Sequence, residues 1–87
     1  MDRPIPHSEQ KDFRVEVTEH RLEPDEGLSL GSGEHTVVVR KGVLYVSLHS
    51  GDKALIPGDE IVVHAGDFRG AWSEARGPAE LTVLRGG

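Results

Sequence analysis

The sequence predicts an all-β fold, a small barrel or two-sheet sandwich (jelly roll) of about eight short antiparallel strands. Three observations support this prediction. Short β-branched and aliphatic runs alternate with Gly, Asp and Pro about every eight residues, a spacing typical of β-sandwiches and barrels. The 87 residues include 11 glycines and 5 prolines, as expected of a chain rich in tight turns. No window places apolar residues at helical spacing, so no substantial helix is predicted.

The N-terminal part divides into an arm and the start of the domain. Residues 1–12 are polar with two prolines and are predicted to form a flexible arm, while residues 13–85 form the domain. The arm is either a frayed terminus or a strand that adds to a partner's sheet, and its composition favours the first. From there the sequence alternates strictly, with Phe13, Val15 and Val17 on one face, which predicts a half-buried strand.

The remaining strands follow at regular intervals. Residues 35–40 contain three consecutive valines, which suit a central strand covered on both faces. Further strands are predicted over residues 28–30, 43–48, 53–56, 61–64, 68–73 and 79–84, each bounded by a turn containing Gly, Pro or Asp.

Composition excludes several classes of protein. The net charge is −5, with 15 acidic against 10 basic residues and no basic stripe, which disfavours nucleic-acid binding. Without cysteine, no disulfide or thiolate metal site can form. No apolar run reaches membrane-spanning length, and the N-terminus lacks a signal-peptide core, so a cytoplasmic protein without membrane contact is expected. A domain this small gains buried area by self-association, so we expect a homodimer.

The stretch from Gly42 to Ser73 resembles a known family. Gly42 followed by an alternating strand, the run Pro57-Gly58-Asp59-Glu60-Ile61-Val62-Val63, and Ala65-Gly66 are similar to the core of a small single-domain cupin of the jelly-roll superfamily. The resemblance covers residues 22–84. It implies a β-barrel, common dimer formation and, in the catalytic members, a metal held by a His-x-His pair, a Glu and a later His.

This chain departs from the metal-binding pattern of that family. Counting from Ala65-Gly66, the position of the last His falls on Arg69, and the family's frequent Asn falls on Ser73. Arginine is a permanent cation with no acceptor and cannot ligate a metal. In the first motif, counts from both ends fall on His35, because the interval is four or five residues short. We therefore predict a metal-free cupin without a cofactor.

Strand parity then suggests a different kind of site. It directs His35, Arg69 and Ser73 inward, near one mouth of an apolar lumen, where a guanidinium can clamp a carboxylate or phosphate. Alternatively, Arg69 reaches solvent and pairs with Asp67 or Glu74 beside it. The same parity directs Trp72 outward, as an interface anchor or as a side chain packed under the N-terminal strand.

Three classes of function stay open. The first is a module that binds or senses a small anionic molecule through Arg69, His35 and Ser73. The second is a structural or oligomerisation domain whose lumen is filled by side chains. The third is a metal-independent isomerase or epimerase, for which His35 is the inward general base. We rank them in this order, so the balance is against an enzyme. An open lumen favours the first and third, and a packed lumen favours the second.

Overall fold

Two four-stranded antiparallel sheets make up residues 15–86, the part of the chain that this computed structural model describes. The predicted arm and Phe13 lie outside the described residues. Within residues 15–86 there is no helix, which confirms the predicted fold class. The strands are β1 (Val15–Leu22), β2 (Gly27–Leu28), β3 (Glu34–Lys41), β4 (Leu44–Leu48), β5 (Gly51–Leu55), β6 (Glu60–His64), β7 (Phe68–Ser73) and β8 (Ala79–Gly86).

The chain passes repeatedly between the two sheets. Sheet A contains β1, β8, β3 and β6 in that spatial order, and sheet B contains β2, β7, β4 and β5. Every connection except the one between β4 and β5 therefore crosses from one sheet to the other. The strand with three consecutive valines, β3, lies between β8 and β6, which confirms its predicted central position. No helix in the described part of the chain is long and apolar enough to cross a membrane.

The core lies between the inward faces of the two sheets. In β3, Val37 and Val39 are buried and Val38 is half-buried, so the side chains alternate about the sheet, but the outer face is only partly covered and the predicted coverage of both faces is wrong. Full burial of such a side chain stabilises the fold by about 1.5–3 kcal/mol. The buried apolar residues are Leu22, Leu28, Val37, Val39, Leu44, Val46, Leu48, Leu55, Val63, Ala71, Ala79, Leu81 and Val83.

Turns fix how the strands enter the sheets. In the Pro57-Gly58-Asp59 turn, Gly58 has φ 96°, a left-handed conformation that glycine adopts without a Cβ clash. The Gly58 amide donates to the Val39 carbonyl at 2.9 Å, and the Ile56 amide donates to Asp59 Oδ2 at 3.0 Å. These bonds attach the turn to the end of β3, so this Pro-Gly-Asp run closes the core at that end.

The burial predicted for the first strand is wrong. Val15 and Val17 are 51% and 59% exposed, whereas Leu22 of the same strand is buried. Val17 pairs with Leu84 on the outer face of sheet A, while Thr18 pairs with the buried Val83 on the inner face. The predicted alternation is therefore present, but Val15 and Val17 lie on the outer face of the sheet, because the register with β8 directs the residues between them and after them toward the core.

Candidate functional site

His35 lies inside the fold, as predicted. It occupies the inner face of β3, opposite Val63 on β6 and Arg85 on β8, and is 4% exposed. Its Nδ1 has no hydrogen-bond partner among the described residues. A buried polar atom without a partner costs about 1–3 kcal/mol and is a place where a ligand or an ordered water can bind.

Ser73 is also buried, but it lies at the other end of the sandwich. It pairs with Leu44 in sheet B, is 3% exposed, and its Oγ has no partner within residues 15–86. The Glu74 amide donates to the Val43 carbonyl at this end. The end with His35 is instead marked by the bond from the Ala65 amide to the Gly33 carbonyl, which joins the turn after β6 to the start of β3.

Arg69 does not point into the lumen, and the prediction that it does is wrong. In the register of β4 and β7, Ser47 pairs with Gly70 but Leu48 pairs with Phe68, so Arg69 is an extra residue in a β-bulge. The bulge shifts the strand parity by one. Phe68 therefore packs against the core and the Arg69 side chain is exposed. His35, Arg69 and Ser73 consequently do not share one mouth.

The residues present do not fit the metal site that the fold implies. His35 is the one buried side chain among residues 15–86 with a metal-ligating nitrogen, since the other buried polar residue is Ser73. The described chain contains no group of three or more His, Asp or Glu side chains placed to hold a cation. Because one imidazole holds a divalent ion too weakly, no chemistry is assigned to a metal here.

A cleft on the outer face of sheet B brings together residues that the sequence analysis treated separately. Trp72 on β7 and Tyr45 on β4 are directly opposite each other, and Ala54 on β5 is the next residue across the sheet. The cleft has a volume of about 460 Å³. It is lined by Tyr45, Val46, Ser47, Asp52, Lys53, Ala54 and Trp72.

Polar groups occupy one end of this cleft. The Ser47 hydroxyl donates to Asp52 Oδ1 at 3.0 Å, which orients the carboxylate across β4 and β5. Arg69 lies at the bulge beside the position opposite Ser47. Within residues 15–86, neither Arg69 nor Lys53 has a carboxylate within ion-pair distance, so the predicted pairing of Arg69 with Asp67 or Glu74 is absent there. Arg69 therefore has no competing partner in the described chain, whereas Lys53 lies opposite the buried Val46 and directs its side chain to the other face of sheet B.

The outward orientation predicted for Trp72 is confirmed, but the cleft beside it is not evident from the sequence. Trp72 is 45% exposed and lies in sheet B, so it does not pack under β1, which belongs to sheet A. The available signal was that Tyr45 and Ser47 share the outward parity of β4 and that Asp52 follows in the next strand. The registers that place these side chains beside Trp72 are set by tertiary pairing.

Comparisons with known proteins identify the fold. The sequence matches no protein-family model and no curated protein. A cupin protein from Bacteroides fragilis superposes with TM-score 0.71 at 16% identity, over 83% of this chain and 64% of that one. A cupin-2 domain protein from Shewanella frigidimarina superposes with TM-score 0.60 at 12% identity, over 87% of this chain and 72% of that one.

A third similar structure has the higher sequence identity of 28%. It is a sugar phosphate isomerase of a cupin superfamily from Silicibacter pomeroyi, with TM-score 0.67 over 84% of this chain and 50% of that one. The chain thus spans 64% of the length of the Bacteroides fragilis protein and 50% of that of the Silicibacter pomeroyi protein. The two-sheet topology and these superpositions agree, and residues 15–86 form a small cupin-like domain.

Proposed function

We propose that this cupin-like domain is a metal-free module that binds a small anionic molecule, in the cleft on the outer face of sheet B. The observation on which this rests is the exposed aromatic pair of the cleft, Tyr45 and Trp72, beside an exposed arginine at the bulge, Arg69, which has no ion-pair partner in the described chain. The cleft volume of about 460 Å³ suits one small molecule, since ligand sites commonly enclose about 300–1,000 Å³.

The chemistry of the cleft favours a ligand with one apolar face and one anionic end. Trp72 and Tyr45 offer ring faces on which a sugar ring or another flat group can stack. The guanidinium of Arg69, at the bulge beside the polar end of the cleft, supplies paired donors that match a phosphate or carboxylate. Asp52, oriented by Ser47, can accept hydrogen bonds from ligand hydroxyls. A sugar phosphate combines these features, and one structural neighbour is a sugar phosphate isomerase.

The test uses the protein's own fluorescence. The chain contains one tryptophan, so a change in its emission during titration reports directly on Trp72. Glucose 6-phosphate serves as the probe, with glucose and inorganic phosphate as matched halves of the same molecule. We expect a saturable change with the phosphorylated sugar and weaker binding of each half. If none of a panel of sugar phosphates and carboxylates changes the emission, the proposal fails.

Variants of Arg69 test the anion contact. Removing a charge-assisted hydrogen bond costs about 1.5–3 kcal/mol, so Arg69→Leu should weaken binding about ten- to hundred-fold. Arg69→Lys should recover part of the affinity, because an ammonium lacks the planar pair of donors. Arg76→Leu is the matched control: its side chain is 91% exposed and is paired with Glu74 on the loop after β7. Equal affinity in Arg69→Leu and the control would contradict the assignment.

The interior is the second candidate site. Its support is the pair of buried atoms without partners, His35 Nδ1 and Ser73 Oγ, which an internal ligand would satisfy. If this interior site were catalytic, His35 would act as the general base of a metal-independent isomerase or epimerase. Against both stands the packing, since the inward faces of both sheets carry buried apolar side chains. A packed interior is what we expect of a structural domain without an internal ligand. The support for ligand binding therefore comes from the outer cleft.

A further inference from the structure

β1 is the longest strand at a sheet edge. The four edge strands are β1 and β6 of sheet A and β2 and β5 of sheet B. β1 has eight residues, whereas the other three have five, two and five. Along the side of β1 that faces away from β8, no strand of residues 15–86 pairs with its amides and carbonyls. An edge of this length is a template for pairing with another chain.

This edge carries exposed apolar side chains. Val15 and Val17 are more than half exposed on the outer face of sheet A. Val17 begins a row that continues across the sheet through Leu84 and Thr36 to Val62. A long edge strand with exposed valines is a site of association unless the sequence protects it.

The common protections of an edge are weak in β1. Its register with β8 runs from Val15 to Leu22 without a bulge, and the strand contains no Pro, Gly or Lys. Its charged side chains are paired within the same subunit. Glu16 contacts Arg85 at 3.5 Å, Glu19 contacts Arg40 at 3.2 Å, and Arg21 contacts Glu23 at 2.9 Å. The bond to Glu23 also raises the pKa of Arg21, so this guanidinium stays charged.

The other edges keep charges that oppose pairing. Lys53 on β5 and Glu60 on β6 have no ion-pair partner within the described chain. A second strand added at either edge would have to desolvate one of these charges, which is costly. β2 is only two residues long and offers little backbone to pair. β1 is therefore the edge best suited to association.

We propose that β1 pairs antiparallel with β1 of a second copy of this chain, across a two-fold axis at Thr18. The axis is perpendicular to sheet A, so sheet A of one copy continues into sheet A of the other as a single eight-stranded sheet. The outer faces of the two copies then lie on the same side of that sheet. In this register Thr18 faces its own copy and Glu16 faces His20. A register centred on Glu19 would instead place two carboxylates opposite each other, which is unfavourable. Trp72, in sheet B, stays outside this interface.

A single introduced cysteine tests the axis directly, because the chain has none of its own. Opposed residues in antiparallel strands have Cα atoms about 4.5–5.5 Å apart, within the range that a disulfide spans. Thr18→Cys should therefore form a covalent dimer under mild oxidation. Val62→Cys, also solvent-exposed but on the other edge of sheet A, should stay monomeric on a denaturing gel. Cross-linking of Val62→Cys without Thr18→Cys would place the contact on β6 and overturn the proposal.

A second pair of variants tests the same edge without oxidation. Light scattering of the full chain should give a dimer mass. Val15→Lys should raise the dissociation constant of the dimer by about tenfold or more, because residue 15 faces Arg21 of the second copy in this register and two like charges would oppose each other. Val62→Lys, which replaces a valine of similar exposure, should leave the constant nearly unchanged. A monomer mass for the wild-type chain at millimolar concentration, or equal effects of the two lysines, would contradict pairing through β1.

Discussion

Trp72 on β7 lies directly opposite Tyr45 on β4, with both side chains on the outer face of sheet B. The two rings are 45% and 39% exposed. A Cβ placed on Gly70 would lie 3.6 Å from the indole of Trp72, so the ring extends along the strand over this glycine. The absence of a side chain at Gly70 leaves room for the indole, and the small Ala54 on β5 lies on the other side of Tyr45. The aromatic pair therefore forms one wall of an open cleft.

Trp72→Ala separates two roles of this residue. If Trp72 serves the cleft, the substitution should abolish or greatly weaken ligand binding, measured by calorimetry because the fluorophore is lost. It should leave the dimer intact, since the interface that we propose lies on the other sheet. If Trp72 is instead the predicted interface anchor, the dimer should weaken by about 2 kcal/mol or more. Light scattering of the variant distinguishes these outcomes.

Gly42→Ala should destabilise the fold strongly. Gly42 has φ 76°, and a Cβ there would overlap the Pro78 carbonyl oxygen and lie 3.0 Å from the Ala79 Cα. The left-handed conformation and the backbone overlap together predict a loss of about 2–4 kcal/mol. Gly66→Ala is the matched control, because a Cβ at Gly66 meets nothing within 4 Å. Chemical denaturation measures both, and equal stability of the two variants would contradict this account.

Much of the fold could be predicted from the sequence because its signals are local. Turn residues mark the strand ends: the predicted strand over residues 68–73 coincides with β7, and the predicted 61–64 differs from β6 by one residue. The inward orientation of His35 and Ser73 follows from the period of two along each strand. These features need no knowledge of which strands are neighbours.

The errors arise where a neighbouring strand decides the outcome. The bulge that turns Arg69 outward exists because β4 and β7 pair with one residue in excess, and nothing in the local sequence marks it. Likewise, alternation shows that Val15 and Val17 share a face, but only the register with β8, which puts Thr18 opposite the buried Val83, shows that the valines lie on the outer face. The cleft was missed for the same reason, because its residues come from three strands.

We expect no stoichiometric transition metal in this protein. Arg69 has no lone pair for a cation, and among the described residues His35 has no second imidazole or carboxylate buried beside it. Elemental analysis of protein purified without a histidine tag should give well under one equivalent of zinc, iron or manganese. One equivalent of metal that remains bound after dialysis against a chelator would contradict the conclusion that the side chains present cannot hold a transition metal.

The unpaired polar atoms in the core give the last prediction, which separates the two candidate sites. A buried hydroxyl without a partner opposes folding, so Ser73→Ala should leave stability unchanged or raise it by up to about 1 kcal/mol. For a domain of this size that corresponds to roughly 4–8 °C in melting temperature. His35→Leu should behave similarly, because it removes an unpaired Nδ1 and keeps an apolar side chain in the core. Leu44→Ala provides the contrast, since a cavity in the same core should cost about 2–5 kcal/mol.

The same two variants should retain ligand binding if the outer cleft is the site. In titrations followed by Trp72 emission, Ser73→Ala and His35→Leu should match the wild type, while Arg69→Leu should not. An interior site predicts the reverse, because its ligand would contact His35 or Ser73 and not the exposed Arg69. If Ser73→Ala or His35→Leu loses ligand binding while its melting temperature is preserved, the ligand binds in the interior and not in the outer cleft. His35 Nδ1 and Ser73 Oγ would then be hydrogen-bonded by the ligand, and pairing these buried atoms would contribute to the free energy of binding.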